Sequence, residues 1–417
     1  MKILWFTNTP CSLSRKYNPN IVSGGWMEAL ENKLNTSKDI ELYISFYDSK
    51  KSDPVKFGNT QYYPVLRKRN YVLEIIKRLF SYGNDDNVEL PRLLEVVEKI
   101  KPDIIHIHGT EENFGLLQKY VTQPVVVSIQ GVVNPLNEKF FSGIPSDIAK
   151  KNETLISKLL LRTQSKSFVQ FKSIAKRELE ILNNSKNVIG RTNWDRRVTL
   201  VLAENRKYYH IDELLRSEFY SKKWNSDNFS SMDIRIATVS SNNIYKGFET
   251  IVKAAQILSN LKGIEFSWKI IGLSENDSIV KMTLSWLKIN LEDINVKLLG
   301  KMSPEKFIPI MQESNIFCQT SHIENSSNSL CEAMYLGMPI VATYAGGTDS
   351  MLENNKEGLL VQNGDPFAVA GAIVELKANT KKAFEMAENA RSRAIKRHDP
   401  EKITIGLINL YKNLLRK

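Results

Sequence analysis

The 417-residue sequence predicts an α/β protein with two doubly wound domains in series. Short apolar segments bounded by turn residues alternate with longer segments of helical periodicity, which is typical of parallel sheets covered by helices. One polar segment, 217–232, interrupts this alternation, and the length exceeds that of one ordinary hydrophobic core. We therefore predict an N-terminal domain over 1–216, a linker over 217–232, a C-terminal domain over 233–398, and a final helix over 399–417 that can cross back to the first domain.

The N-terminal half predicts six strands and two basic helical segments. The strands are expected at 2–8, 41–47, 61–66, 103–108, 124–130 and 187–191. A lysine-rich segment over 145–184 predicts a long helical stretch. Apolar residues at helical spacing within 67–83 predict another helix, which packs on the sheet or docks on an anionic membrane surface.

The C-terminal half shows a more regular alternation. Strand-like and helix-like segments follow one another as DIRIATVSS, KGFETIVKAAQILSNL, EFSWKIIG, a helix near 276–289, NVKLLG, SPEKFIPIMQES and NIFCQTS. Asp365-Pro366 predicts a helix start, with aspartate as the N-cap. Because ligands of open α/β sheets bind at the carboxyl ends of strands, we expect the active site in a cleft between the domains.

The composition argues against several classes of protein. Hydrophobic residues make up 42% and charged residues 25%, as in soluble globular proteins, and no apolar stretch is long enough to span a membrane. The first residues carry too little apolar sequence for a signal peptide. Three cysteines without a CxxC spacing argue against a disulfide framework and a zinc site. We expect a cytoplasmic protein.

The positive charge lies almost entirely in the first half of the chain. Residues 1–210 hold 32 Lys and Arg against 22 Asp and Glu, whereas the remainder holds 25 against 24. Such a half is suited to an anionic membrane surface or a phosphorylated substrate. The basic segment 149–186 permits the same membrane interpretation. No nucleic-acid-binding motif occurs, so we expect no nucleic-acid partner.

Two glutamates eight positions apart, Glu324 and Glu332, frame the most informative stretch of the sequence. Glu324 is expected in the loop after the strand NIFCQTS, and a helix is expected to begin near Ser329. The free backbone N–H groups and positive dipole end of that helix favour an anion such as a diphosphate. Glu332 would then meet sugar hydroxyls beside the diphosphate, and Glu324 a hexose beyond it.

A plainer interpretation is available for both acids. Ser329 and Glu332 fit the S-x-x-E capping box, in which the glutamate only returns a hydrogen bond to the cap residue. Glu324 on its own fits a solvated loop acid.

The sequence from Glu324 to Glu332 and onward to Gly346-Gly347 resembles the E-x7-E signature of glycosyltransferase family 4. That family consists of retaining enzymes with the GT-B fold, in which two Rossmann-like domains face a central cleft. Further similarities are Lys246-Gly247 after the first strand of the second half, Gly358-Leu359-Leu360-Val361 with Asp365, Gly24-Gly25 after the first strand, and the segment from Asp103 to Gly109.

The resemblance implies a role for each matching residue. Glu324 is expected to contact the transferred sugar near the reacting centre, and Glu332 the ribose of a nucleotide sugar. Lys246 and the amides of Asn328, Ser329 and Leu330 are expected to neutralise the diphosphate, which Gly24 and Gly25 approach from across the cleft. Lys301 and Met302 are expected at the base.

Three further residues are expected near the sugars. His106 and His108 share a strand and are predicted to point to opposite faces, with His108 reaching the cleft as a catalytic residue. Gln130 stands where the family commonly has a histidine near the sugar, and His322 adjoins Glu324. No D-x-D pair occurs in the sequence, so no metal and no cofactor are expected.

The resulting functional hypothesis is a metal-independent glycosyltransferase. It would move a hexose-type sugar from a nucleoside diphosphate sugar to a glycan or lipid-linked acceptor, in bacterial surface polysaccharide synthesis and peripherally on the inner face of the membrane. Two alternatives stay open at this stage: a non-catalytic sugar-phosphate-binding protein, and a sugar-nucleotide epimerase of the same architecture.

Overall fold

The computed structural model describes residues 1–14, 25–50, 52–67, 86–160, 163–230 and 233–416. They form two compact units. The first comprises Met1–Asn137, Leu155–Leu214 and His398–Lys417, and the second comprises Glu138–Thr154 and Leu215–Arg397. Gly24 and the predicted helix at 67–83 beyond Arg67 lie outside the described residues.

The first unit contains an eight-stranded sheet with the spatial order β3-β4-β2-β1-β5-β6-β7-β8. Its described strands are β1 (Lys2–Phe6), β2 (Glu41–Asp48), β3 (Val55–Phe57), β4 (Thr60–Leu66), β5 (Ile104–His108), β6 (Val125–Ser128), β7 (Asn187–Gly190) and β8 (Lys207–His210). All pairings are parallel except that of β3 with β4. The six predicted strands are present, whereas the short strands β3 and β8 carry no strong apolar pattern and were not predicted.

Among the described residues of the first 140, the helices are α1 (Gly25–Leu34), α2 (Asp86–Ile100) and α3 (Val133–Glu138), with a 3-10 helix at Asn113–Lys119. The predicted long helical stretch over 145–184 is not one helix. It is divided into α4 (Ser146–Lys151), α5 (Leu155–Leu159) and α6 (Gln164–Asn183).

Polar side chains account for these interruptions. The Asn152 side chain donates 2.9 Å to the Ile148 carbonyl oxygen where α4 ends, and the Thr163 hydroxyl accepts from the Lys166 N–H at the start of α6. Such side chains compete with the helical backbone for its hydrogen bonds. Helix α7 (Asn193–Leu202) then begins with a capping box made by Thr192 and Asp195.

The second unit contains a parallel six-stranded sheet with the order β11-β10-β9-β12-β13-β14. Its described strands are β9 (Ile234–Val239), β10 (Phe266–Ile271), β11 (Val296–Leu298), β12 (Ile316–Gln319), β13 (Ile340–Thr343) and β14 (Leu359–Val361). Besides α4, which belongs to this unit, its described helices are α8 (Phe248–Ser259), α9 (Ser278–Leu287), α10 (Pro304–Glu313), α11 (Asn328–Leu336), α12 (Thr348–Met351), α13 (Pro366–Ala378) and α14 (Thr380–Arg397). Short 3-10 helices occupy Ser217–Phe219, Ser226–Ser230, Ile244–Lys246 and Glu292–Ile294.

The C-terminal helix α15 (Pro400–Leu415) packs into the core of the first unit. Its buried Tyr411 hydroxyl accepts from the Trp5 indole N–H at 3.1 Å and lies 2.6 Å from His106 Nδ1. His106 Nε2 lies 2.6 Å from the Ser128 hydroxyl. A buried polar chain thus joins α15 to three neighbouring strands, and each of its members is satisfied.

The prediction that His106 and His108 point to opposite faces is wrong. Side chains two positions apart on a strand project to the same face of the sheet. The two imidazole rings accordingly stack, with their centroids 3.8 Å apart.

Acidification is expected to destabilise the first unit through His106. Burial lowers the pKa of His106 to about 3 from the ordinary 6.5. Between these pH values the unfolded chain binds a proton that the folded chain excludes, so the free energy of unfolding falls as the pH falls. Urea midpoints measured from pH 7.5 to 4 should show this slope, and His106→Asn should flatten it.

The exposed His210 provides a control for the replacement of a histidine as such, and His210→Gln is measured alongside His106→Asn. If the slope were unaltered in His106→Asn, this histidine would not be the cause of the pH dependence of stability.

Candidate functional site

The loops after β9 and β12 meet in the second unit because the strand order changes direction there. From β9 the chain continues to β10 and β11 on one side, whereas β12 lies on the other side of β9. A crevice at the carboxyl ends of strands forms at such a switch point. Lys246 follows β9 and Glu324 follows β12, so the topology brings together two residues that are distant in sequence.

Lys246 and Glu324 form an ion pair at this point. The Lys246 Nζ lies 2.6 Å from Glu324 Oε1, which also accepts a 2.8 Å hydrogen bond from the Ser321 hydroxyl. The Glu324 side chain is only 12% exposed. Within the described parts of the chain, Oε2 of Glu324 takes no hydrogen bond and is left for a ligand. The interpretation of Glu324 as a solvated loop acid is therefore wrong.

Two glycines allow these loops to approach closely. Gly247 has φ +73°, and a Cβ there would clash with the carbonyl oxygen of Thr320. Gly346 has φ +60°, and a Cβ there would clash with the carbonyl oxygen of Glu324. Both positions require glycine for conformation and for space. Hydrogen bonds from the Thr320 hydroxyl to the Gly247 oxygen and from the Gly347 N–H to the Glu324 oxygen fix the contact.

Helix α11 begins beside this pair without a side-chain cap. Its N-cap is Ser327, whose side chain makes no capping hydrogen bond, and Ser329 is the second helical residue. The capping-box interpretation of Ser329 and Glu332 is therefore wrong. Asn328 is exposed and Ser329 half-buried, while the Leu330 side chain packs into the core. The first amides of the helix thus carry the positive end of its dipole at an accessible edge.

Glu332 is held by a residue that the sequence analysis missed. Its carboxylate is 1% exposed and accepts two hydrogen bonds from Arg216, at 2.6 and 2.5 Å. Burial raises the pKa of Glu332, and the Arg216 guanidinium opposes that rise. Each carboxylate oxygen keeps one further lone pair, so the ribose contact stays a prediction. Arg216 adjoins the predicted linker, where no local pattern marks a functional side chain.

His322 lies in a buried pair next to the site. Its Nε2 is 2.7 Å from Glu249 Oε1, which also accepts from the Thr250 hydroxyl. The backbone of His322 donates to the Tyr245 oxygen and accepts from the Asn363 side chain. His322 therefore ties the β12 loop to the segment that carries Lys246. Glu249 was also missed, because one acid in a helical first turn gives no sequence signal.

The predicted base-pocket residues follow β11, at the edge of the sheet. Lys301 is exposed and Met302 half-buried, and the preceding Gly300 has φ +71°. Their contact with a base stays a prediction.

The first unit also gathers polar groups at its switch point, between β1 and β5. His108 ends β5 and is 1% exposed, and neither of its ring nitrogens has a hydrogen-bond partner among the described residues. Burial and the neighbouring His106 lower its pKa well below the ordinary value, so its ring is neutral. It lines a small cavity with Trp26, Arg191 and Asp212.

Two other predicted residues lie in the same unit. Gly25 begins α1 with φ +53°, and a Cβ there would meet open space. The Gln130 amide lies 3.8 Å from the Met27 sulfur. The sequence analysis missed Glu111, whose Oε1 accepts from the Gly131 N–H at 3.3 Å. Burial raises the pKa of Glu111.

Replacing His108 by Phe is expected to separate stability from activity. An apolar ring removes two buried nitrogens that lack partners in the described structure, so the free energy of unfolding should rise by about 1 kcal/mol. If His108 accepts a hydrogen bond from substrate, the turnover of the variant should fall. Urea unfolding and a turnover assay measure both effects. A variant that loses stability would show that the ring nitrogens are satisfied in the native state.

Residues 221–393 match the family described as glycosyl transferases group 1. Similar relatives include a D-inositol 3-phosphate glycosyltransferase of Corynebacterium urealyticum, 33% identical over 119 residues, or 28% of each chain. The amylovoran biosynthesis glycosyltransferase AmsK of Erwinia amylovora is 28% identical over 166 residues, 38% of this chain and 40% of the relative. The chain thus spans less than half the length of these two relatives.

Solved structures resemble the chain over its whole length. Sucrose-phosphate synthase of Thermosynechococcus elongatus has a TM-score of 0.73 at 15% identity, covering 100% of this chain and 99% of that one. HepE of Anabaena in complex with UDP and glucose has a TM-score of 0.65 at 17% identity, covering 99% of both chains. At these identities the likeness shows the fold. Residues 221–393 are therefore similar to glycosyl transferases group 1, and the two Rossmann-like units of the chain have the GT-B fold that the motifs predicted.

Proposed function

We propose that the chain is a retaining, metal-independent glycosyltransferase that moves a hexose-type sugar from a nucleoside diphosphate sugar to a glycan or lipid-linked acceptor. The observation that carries this proposal is the Lys246–Glu324 pair beside the uncapped start of α11. It supplies a cation, helix amides and a carboxylate with one unused oxygen at the carboxyl edge of one sheet.

The diphosphate is the natural ligand of the positive part of this site. When the nucleoside diphosphate leaves, negative charge collects on its phosphate oxygens, and the anomeric carbon becomes positively charged. Lys246 and the first amides of α11 stabilise the leaving group, since they are already positioned before the bond breaks. A fixed cation and helix dipole perform the task that a bound metal performs elsewhere, which supports a metal-independent reaction.

The carboxylate of Glu324 acts on the sugar, at the other end of the bond that breaks between the sugar and the diphosphate. Its free Oε2 is suited to accept a hydrogen bond from a sugar hydroxyl, and its charge stabilises the positive anomeric carbon. Lys246 and Ser321 restrict the side chain through Oε1, so little motion is lost when the sugar arrives. Arg216 holds the carboxylate of Glu332, on the same helix, through two hydrogen bonds.

The names of similar proteins support one kind of donor and one kind of pathway. The similar structure of HepE holds UDP and glucose, and AmsK is named for amylovoran biosynthesis. These names support a nucleotide-sugar donor and a role in surface polysaccharide synthesis. The basic N-terminal half also supports a location at the inner face of the membrane, where the enzyme would meet a lipid-linked acceptor.

Donor binding tests the proposal directly. The protein is titrated with UDP-, GDP- and ADP-sugars by calorimetry in buffer containing EDTA, and slow donor hydrolysis is followed by mass spectrometry. One donor class should bind, and free sugar should appear without added metal. Release of an isomerised sugar nucleotide would indicate an epimerase. Binding without any turnover, with or without acceptor glycans, would indicate a binding protein.

A further inference from the structure

The short helix α5 presents an apolar face to solvent. Leu155, Ile156 and Leu159 are 78%, 70% and 83% exposed. At about 100° per residue these positions, with Leu160, fall within an arc of about 140° on the helix circumference. Aliphatic side chains this exposed and this close together are uncommon on a monomeric soluble protein and mark an interaction surface.

The sequence from this face into α6 is strongly basic, with Glu153 before it and Glu178 after it. Residues 154–177 contain six Lys and Arg and no Asp or Glu. Lys158 is exposed on α5 itself, and Lys172 and Lys176 are exposed on α6. The Lys172 Nζ lies 4.6 Å from the ring centroid of Phe168, so its ammonium group makes a cation–π contact with that ring.

We propose that this face, called the α5 surface and defined by Leu155, Ile156, Lys158 and Leu159, docks on an anionic lipid bilayer. The three apolar side chains enter the boundary between head groups and acyl chains, and Lys158 lies among lipid phosphates. Among the described helices, none is long and apolar enough to cross a membrane. The contact is therefore interfacial.

Charge selects the bilayer over a second copy of the chain. Two copies of this segment brought together would repel each other, because 154–177 holds six Lys and Arg and no Asp or Glu. An anionic leaflet supplies the opposite sign, and each lysine held near it strengthens binding about fivefold. This inference rests on the membrane location included in the proposed function and names the surface responsible. Lipid binding is measured without turnover, so its failure can be told apart from a failure of the glycosyltransferase proposal.

Vesicle sedimentation with the full chain tests the inference. Vesicles of phosphatidylcholine with about 30% phosphatidylglycerol are compared with pure phosphatidylcholine at low ionic strength. The unaltered protein should sediment with the anionic vesicles and remain in solution with the neutral ones. Leu155→Ser/Leu159→Ser should weaken partitioning at least about tenfold, and Lys158→Gln about fivefold.

Helix α7 offers a matched control in the same unit. Leu200 and Val201 are 60% and 77% exposed, and Leu200→Ser/Val201→Ser should leave partitioning unchanged. Circular dichroism confirms that each variant is folded. The proposal is overturned if the unaltered protein does not bind anionic vesicles. It is equally overturned if Leu200→Ser/Val201→Ser weakens binding as much as Leu155→Ser/Leu159→Ser. It is also overturned if sedimentation equilibrium shows a dimer that Leu155→Ser/Leu159→Ser dissociates.

Discussion

Replacing Glu324 by Gln is expected to lower kcat about 10²- to 10³-fold, the typical loss when one preorganised electrostatic group is removed. Gln has nearly the same shape, so the hydrogen bond from Ser321 can persist. What disappears is the negative charge beside the positive anomeric carbon. The affinity for the nucleoside diphosphate should change less than about threefold, because a carboxylate near the transferred sugar acts mainly in the transition state.

The matched control for this variant is Glu353→Gln in the same unit. Glu353 is an exposed acid with its own lysine partner, Lys356, 3.0 Å away, and its replacement should leave kcat unchanged. Single-turnover kinetics and nucleotide titration separate the chemical step from binding. If Glu324→Gln retained full kcat, Glu324 would have no part in the transition state, and the assignment of this carboxylate to the sugar side of the site would be wrong.

The second large effect is expected on stability, from Arg216→Met. This variant leaves the 1% exposed carboxylate of Glu332 without its bidentate partner. Breaking a buried pair by removing one member costs about 3–5 kcal/mol, because the remaining charge stays desolvated. The urea-derived free energy of unfolding at pH 7 should fall by this amount. Arg216→Met/Glu332→Gln should recover most of it.

The pH dependence of this variant has a definite sign. Burial raises the pKa of Glu332, and loss of Arg216 raises it further because Arg216 opposes that rise. A carboxyl with a raised folded pKa holds its proton to a higher pH than the unfolded chain does, so stability falls as the pH increases above the ordinary carboxyl pKa. Arg216→Met should therefore be less destabilising at pH 5 than at pH 7.

An exposed ion pair provides the comparison for Arg216. Arg235 forms a 3.0 Å ion pair with Asp233, which is far more exposed than Glu332. Arg235→Met should therefore lower the free energy of unfolding by less than about 1 kcal/mol. Equal stabilities of Arg216→Met and the double variant at pH 7 would contradict the account, since they would mean that Glu332 carries no buried charge at that pH.

Much of the fold could be predicted from local sequence patterns, because alternation and turn residues act over a few positions. The six predicted strands of the first unit and the seven-segment alternation of the second are examples. The division of 145–184 into three helices was missed, because Asn152 and Thr163 act through specific hydrogen bonds that periodicity does not register. The two histidines of β5 were misplaced by an error of strand geometry, and their stacking follows from the sequence once that is corrected.

Site residues that belong to a continuous sequence motif could be predicted. Site residues that are defined by tertiary contacts could not. Lys246 and Glu324 were found through the family signature, and the β9–β12 neighbourhood explains why they meet. Arg216 lies 116 positions from its partner Glu332, and Glu249 lies 73 positions from His322. Nothing local to either residue marks its partner, so only a folded structure identifies these two buried pairs.

The central claim is that Lys246, Glu324 and the start of α11 form the donor site. A crystal structure of the protein soaked with its nucleotide sugar tests this most directly. The account predicts phosphate oxygens within hydrogen-bonding distance of Lys246 Nζ and of the Ser329 and Leu330 amides, with a sugar hydroxyl on Glu324 Oε2. A nucleotide bound away from α11, with the Lys246–Glu324 pair untouched, would contradict it.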